Sequence, residues 1–218
     1  MTIWFGLTTI PPVISSLHPP SQDSSDSSDS HGGKKGASAR GDIASADSAQ
    51  KVSTNASVKK DFEGMKLRII YASTSGHTEH VVHVLKDFFA EKVPKLEVTL
   101  QSVESAKPED LLKGDLLILA SATWNIGATE GHMNPHMHTF LYKDAKDIDL
   151  TGRKVGIIAL GDTRYFFTSR ASERIRNYIQ ESGGTVFGFP MTIINEPYGQ
   201  EDKVAKWGEK FLTKLQEL

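Results

Sequence analysis

A short apolar run that ends in a hydroxyl-rich loop and passes straight into a helix constrains this chain more than any other stretch. Residues 67–78 read Leu-Arg-Ile-Ile-Tyr-Ala-Ser-Thr-Ser-Gly-His-Thr. The first half has the composition of a strand covered on both faces. From Glu79 to Val93, apolar residues fall at Val81, Val82, Leu85, Phe88 and Phe89, which is helical spacing. A strand–loop–helix unit leaves backbone N–H groups free at the positive end of the helix dipole, a place suited to an anion. The loop has no lysine of a Walker loop, no set of three spaced glycines and no cysteine of a phosphatase loop. What remains is a phosphate held by amides and by the hydroxyls of Ser73, Thr74, Ser75 and Thr78, bound and never transferred. The same residues also make an ordinary helix cap without a ligand, since Ser and Thr favour helix starts.

The alternation continues downstream. Leu96–Leu100 alternates as a strand, Pro108–Leu112 suits a short helix, and Asp115–Ala120 is apolar after its first residue, as in a central parallel strand. A loop is expected from Ser121 to His132, then a helix capped by Asn134 with Pro135 at its first position, reaching about Tyr142. Lys154–Leu160 reads as a fourth strand, followed by a helix near Ser169–Ser182 stopped by Gly183-Gly184. Thr185–Ile194 reads as a fifth strand. The last helix, Gln200–Leu215, puts Val204, Trp207, Phe211 and Leu215 on one face. Five strands alternating with helices predict an α/β fold: a three-layer, doubly wound open sheet of five parallel strands with right-handed crossovers. Ligands in such sheets lie at the C-terminal ends of strands.

Residues 1–64 are different material. From Gln22 to Ser57 the chain is dominated by Ser, Asp, Gly, Ala and Lys, with almost nothing to bury, so a low-complexity, disordered extension is expected ahead of a folded domain over 65–218. The first sixteen residues are more apolar but lack a basic start, and Pro11-Pro12 interrupts them, so neither a secretory signal nor a membrane span is expected. Arg40-Gly41-Asp42 resembles an adhesion tripeptide, but in so biased a segment coincidence is the better reading. Met65-Lys66 directly precedes the first strand, and one expectation is that translation starts at Met65.

The chain carries 25 Lys and Arg against 27 Asp and Glu, which argues neither for nucleic acid nor for an anionic membrane surface. It has no cysteine, which removes disulfides and thiol chemistry and fits a reducing compartment.

Three collinear loops resemble those of the flavodoxin family. Ser73-Thr74-Ser75-Gly76-His77-Thr78-Glu79 resembles the family's phosphate loop, with His77 where Asn is usual. Thr123-Trp124-Asn125-Ile126-Gly127 resembles its first flavin-flanking loop, and Gly161-Asp162-Thr163-Arg164-Tyr165 its second. The resemblance spans residues 65–218, and the short last strand-to-helix segment is similar to that of short-chain flavodoxins. It implies the strand order 2-1-3-4-5 and bound FMN, held by Ser73, Thr74, Ser75, Gly76, His77 and Thr78 at the phosphate. Trp124 and Tyr165 would flank the flavin ring, with Thr123 reaching the phosphate and Asp162 beside the pyrimidine edge. Ala122, Asn125, Ile126, Gly127 and Gly161 complete the expected cofactor set. Each aromatic is also readable as an ordinary partly buried ring, and Phe166 or Phe167 can replace Tyr165 in the contact.

The resemblance further implies that the peptide between Asn125 and Ile126 turns its carbonyl toward the reduced flavin. That turn requires positive φ near Asn125, which glycine adopts freely and Asn at some cost. The leading function is a small cytoplasmic electron carrier, monomeric, exchanging single electrons with redox enzymes. The alternative is a flavin-dependent NAD(P)H:quinone or dye reductase on the same fold, which needs a substrate pocket, usually built across a dimer or from inserted loops, and this chain shows no such insertion. From Met65 onward 19 basic residues face 20 acidic ones, fewer net negative charges than is usual in the family. Hence the potential is expected to be less extreme and to rise as His77, His132, His136 and His138 protonate. A metal site at the last three is not expected, because Pro135 breaks their helical register and no carboxylate lies between them. His80 and His83 fall on the outer face of the first helix and need no function.

Overall fold

The computed structural model describes residues 62–218 except Ala128. The expectations for residues 1–61, including the low-complexity extension, the absent signal peptide and the Arg40-Gly41-Asp42 tripeptide, fall outside the described residues.

The strands are β1 (Lys66–Ala72), β2 (Glu97–Ser102), β3 (Leu116–Ile126), β4 (Thr129–Met133), β5 (Lys154–Gly161), β6 (Thr185–Val186) and β7 (Met191–Ile194). The helices are α1 (His77–Lys92), α2 (Pro135–Thr139), α3 (Ala171–Glu181) and α4 (Glu201–Gln216). In the main sheet the order is β2-β1-β3-β5, with β6 and β7 both pairing with β5, and all of these pairs are parallel. The predicted five-position, doubly wound sheet is therefore present, with two local departures. The expected fifth strand is cut into β6 and β7 by Phe187–Pro190, where Gly188 takes a φ of 69° and Pro190 has no N–H to pair. The stretch from Ser121 to His132, expected as a loop, is instead the end of β3 folded onto β4 as an antiparallel hairpin.

Strand periodicity explains the three layers. Leu67, Ile69 and Tyr71 of β1, with Leu116, Ile118 and Ala120 of β3, join the core under α1 and α4. Ile70 and Ala72, with Leu117 and Leu119, join the core under α2 and α3. Successive side chains point to opposite faces, so a run apolar at every position needs a helical layer on each side. Phe62 is 4% exposed and belongs to the first of these cores, three residues ahead of the expected domain boundary. Its carbonyl accepts the Met65 amide at 3.0 Å. The helix expected to reach Tyr142 stays α-helical only to Thr139 and widens into a single π turn over Phe140–Asp144. Among the described residues no helix is long and apolar enough to cross a membrane.

Candidate functional site

The C-terminal ends of β1, β3, β5 and β7 deliver four loops to one rim. At the first, the chain leaves Ala72 and enters α1 through Gly76, whose φ of 84° is a left-handed turn that glycine makes without strain. No side chain caps α1. The amide of Glu79 donates to Ser73 Oγ at 3.2 Å, whereas those of Ser75, Gly76, His77 and Thr78 have no intramolecular acceptor among the described residues. Such a set of free donors at a helix N-terminus is an anion cradle. Thr78 is buried, and the Thr74 hydroxyl is held by Asn134 Nδ2 at 2.9 Å.

His77 faces the fourth loop, its Nε2 3.3 Å from Glu196 Oε1. One turn on, His80 Nε2 lies 3.0 Å from Glu201 Oε1 at the start of α4, and its ring packs against Tyr198 at 4.4 Å between centroids. His80 therefore ties α1 to α4, which its outward helical position did not foretell. Backbone amides, its own and that of Gly199, hold the Glu201 carboxyl below the ordinary range, and His80 adds to this.

The hairpin supplies the second wall. Thr123 pairs with Met133, Trp124 with His132, and a bulge follows before Ile126 meets Thr129. At the turn it is Gly127, not Asn125, that takes positive φ, at 63°. A β-carbon on Gly131 would lie 2.8 Å from Arg170 Cδ and 2.9 Å from Phe167 Cβ, so the loop after β5 rests directly on the hairpin. The Arg170 guanidinium stands 4.2 Å over the Phe167 ring, and the Ala171 amide donates to Thr123 Oγ1 at 3.2 Å.

In that third loop Asp162 accepts the Arg164 amide at 2.8 Å and Arg164 Nε at 2.8 Å. The Arg164 side chain, and then its amide, hold the Asp162 carboxyl below the ordinary range. Asn195 braces the loop from β7. It takes a φ of 65°, donates its amide to the Gly161 carbonyl at 2.8 Å, and accepts both the Thr163 amide (2.9 Å) and the Thr163 hydroxyl (3.0 Å) at Oδ1.

These loops enclose a cleft of about 510 Å³. Of the sequence candidates, Ser75, His77, Ala122, Thr123, Trp124, Gly161, Asp162 and Tyr165 line it. Ser73, Thr74, Gly76 and Thr78 belong to the same loop and helix start but are not among the residues that line the cleft, while Asn125 lines an adjoining hollow shared with Trp124 and Tyr165. Ile126 and Gly127 lie exposed at the hairpin tip. Thr163, Arg164, Asn195 and Glu196 also line the cleft and were not singled out beforehand as cofactor residues. Asn195 carried a local signal, because an Asn ahead of Glu-Pro after an apolar run suits a left-handed turn.

His132 and His138 meet edge-on at 6.0 Å, and His138 stacks on Tyr142 at 5.2 Å. His136 Nδ1 instead lies 3.5 Å from Glu104 Oε1. Among the described residues no group of three or more His, Cys, Asp or Glu is placed to hold a metal ion.

Comparison with known proteins agrees with this geometry. The Flavodoxin family model matches residues 69–207. A flavodoxin of Maridesulfovibrio salexigens is 28% identical over 151 residues, covering 69% of this chain and 99% of that protein. The crystal structure of oxidised Flavodoxin 2 from Bacillus cereus superposes with a TM-score of 0.61 at 30% identity, covering 68% of this chain and 99% of that one. The chain also matches 23% of the length of the sulfite reductase [NADPH] flavoprotein alpha-component of Vibrio parahaemolyticus, at 27% identity over 152 residues. With its family model matched over residues 69–207 on a doubly wound sheet, the chain belongs to the flavodoxin family of FMN-binding electron-transfer proteins.

Proposed function

We propose that the cleft between the loops after β1, β3 and β5 holds FMN, with its phosphate on residues 73–78 and its ring between Trp124 and Tyr165. The observation that carries this is the join of two unlike surfaces in one cleft: the amide-rich start of α1 at Ser75 and His77, and the aromatic wall of Trp124 and Tyr165. The cradle offers neutral donors and no lysine, which suits a terminal phosphate that stays bound. Flat aromatic faces favour offset stacking on a fused ring and keep water from it. Bound FMN supplies one-electron chemistry. Asp162, tied to Arg164, keeps a negative charge beside the ring, and Glu196 offsets any charge that His77 acquires at the phosphate.

The partner is a redox enzyme that docks over the ring edge. Ile126, Tyr165 and Phe166 are exposed at 36%, 44% and 86%, an apolar rim on the hairpin and the loop that flank the cleft. With charges nearly balanced, contact there depends on this rim more than on long-range steering. The match to one part of a reductase flavoprotein supports a redox enzyme as the partner class. The protein works as a monomer in the cytoplasm, for which the lack of cysteine is suitable. The test is a visible spectrum of the purified chain followed by reductive titration. A flavin spectrum that bleaches in one-electron stages is expected; a colourless protein that takes up no added FMN overturns the proposal.

A further inference from the structure

Asn134 stands at the start of α2, 1% exposed, and its bonds leave one choice for the orientation of its amide. Oδ1 accepts the His136 amide at 2.9 Å, and a backbone N–H can only donate. The other terminal atom, Nδ2, therefore faces Thr74, 2.9 Å from its Oγ1. The backbone around it is pinned as well: the Asn134 amide donates to Ser121 Oγ and to the Ala122 carbonyl, both at 3.0 Å. An amide nitrogen has no lone pair free to accept, so the Thr74 hydroxyl is the acceptor in this bond. Its one proton must point away from Asn134. Thr74 is itself exposed on the loop that carries the free amides of residues 75–78, so the proton is available to an anion in the cradle.

We propose that Asn134 is a positioning residue that makes Thr74 a hydrogen-bond donor to phosphate, and so favours FMN over unphosphorylated riboflavin. The inference rests on the reading that residues 73–78 hold the phosphate of FMN. The variant Asn134→Asp separates the two jobs of this side chain. Aspartate caps α2 as asparagine does. Toward Thr74, however, it presents an oxygen, and the hydroxyl proton swings back to it. The loop then offers the phosphate a lone pair in place of a proton.

The experiment is titration of the cofactor-free chain with FMN and, separately, with riboflavin, for wild type, Asn134→Asp, Thr74→Val and the double variant. Because hydrogen bonds to charged groups are the strong ones, Asn134→Asp is expected to weaken FMN binding by about tenfold or more, with riboflavin affinity changed by no more than about twofold. In the Thr74→Val background the added loss from Asn134→Asp should shrink, since the hydroxyl through which it acts is gone. An unchanged FMN-to-riboflavin ratio in Asn134→Asp, or the same loss in both backgrounds, overturns the inference. Should Asn134→Asp not fold, Thr74→Val decides: selective loss of FMN supports the inference, and equal or no loss overturns it. A wild-type chain that binds neither flavin overturns the underlying reading instead.

Discussion

Gly161 and Thr168 approach so closely that a methyl group on Gly161 would stand 1.5 Å from the Thr168 carbonyl oxygen. Only a hydrogen atom fits, because the loop after β5 doubles back over the strand end to present Asp162 and Tyr165 to the cleft. Gly161→Ala must displace that loop. Overpacking typically costs about 1–3 kcal/mol, and a backbone carbonyl cannot yield as a side chain can, so the upper part of that range is expected. FMN titration followed by quenching of flavin fluorescence should show affinity lowered by about tenfold or more. Circular dichroism should still report the α/β fold; an unchanged affinity would show that the loop position is irrelevant to the cofactor.

Asn125 lies in β3 with ordinary φ, two residues before Gly127, which already carries the positive φ of the hairpin. A reorientation of the peptide after residue 125 would demand left-handed φ there, which costs most side chains about 1–2 kcal/mol, Asn less, and glycine nothing. Asn125→Gly removes that cost. The potential for the first electron should rise relative to that for the second, measured by reductive titration against a reference dye. Identical separation of the two steps in both proteins would exclude a peptide turn at this site.

Phe62 fills part of the core under α1 and α4, and Lys95 Nζ lies 3.0 Å from the adjacent Glu63. Phe62→Ala is expected to destabilise the fold by about 3–5 kcal/mol, the usual range for a phenylalanine removed from a core. A chain started at Met65 should show a loss of the same order relative to one started at Phe62. Urea melts would measure both. A difference below about 1 kcal/mol would mean that the aromatic ring contributes only local contact.

Burial presses the His138 ring to stay neutral, and repulsion from His132, Arg174 and Lys143 acts the same way. Its folded pKa is thus below the unfolded value of about 6.5. The sign follows: above that value the ring is neutral in both states and costs nothing. As pH falls below it, the unfolded chain takes the proton first and stability declines. Thermal melts between about pH 7.5 and 5.5 should show this decline flattened in His138→Phe, which keeps the stack on Tyr142. Parallel curves for the two proteins would assign the decline to other groups.

The three loops were legible in the sequence because each follows a strand that reads as a nearly unbroken apolar run, as a parallel strand covered on both faces does. Leu117 and Leu119 face one helical layer and Ile118 the other, so β3 announces itself. Its continuation to Ile126 does not, since Ser121, Thr123 and Asn125 break the apolar run and its partner β4 holds Gly131 and His132. Pairing there is fixed by the rest of the fold, through Gly131 against Phe167 and Arg170. Asn134 showed its capping role locally, but its bond to Thr74 crosses 60 positions, a distance at which no periodicity speaks. The cut between β6 and β7 was marked by Gly188 and Pro190, yet Phe187 and Phe189 on either side mask it as a continuous apolar run.

Trp124 is carried on an arm that has left the parallel sheet, braced by a single five-residue strand and by the loop beneath it. On the proposed reading, in which Trp124 covers the flavin ring, mounting that cover on such a cantilever separates the folding of the scaffold from the adjustment of its chromophore. Exchanges along the arm can therefore retune redox behaviour while the central strands assemble as before.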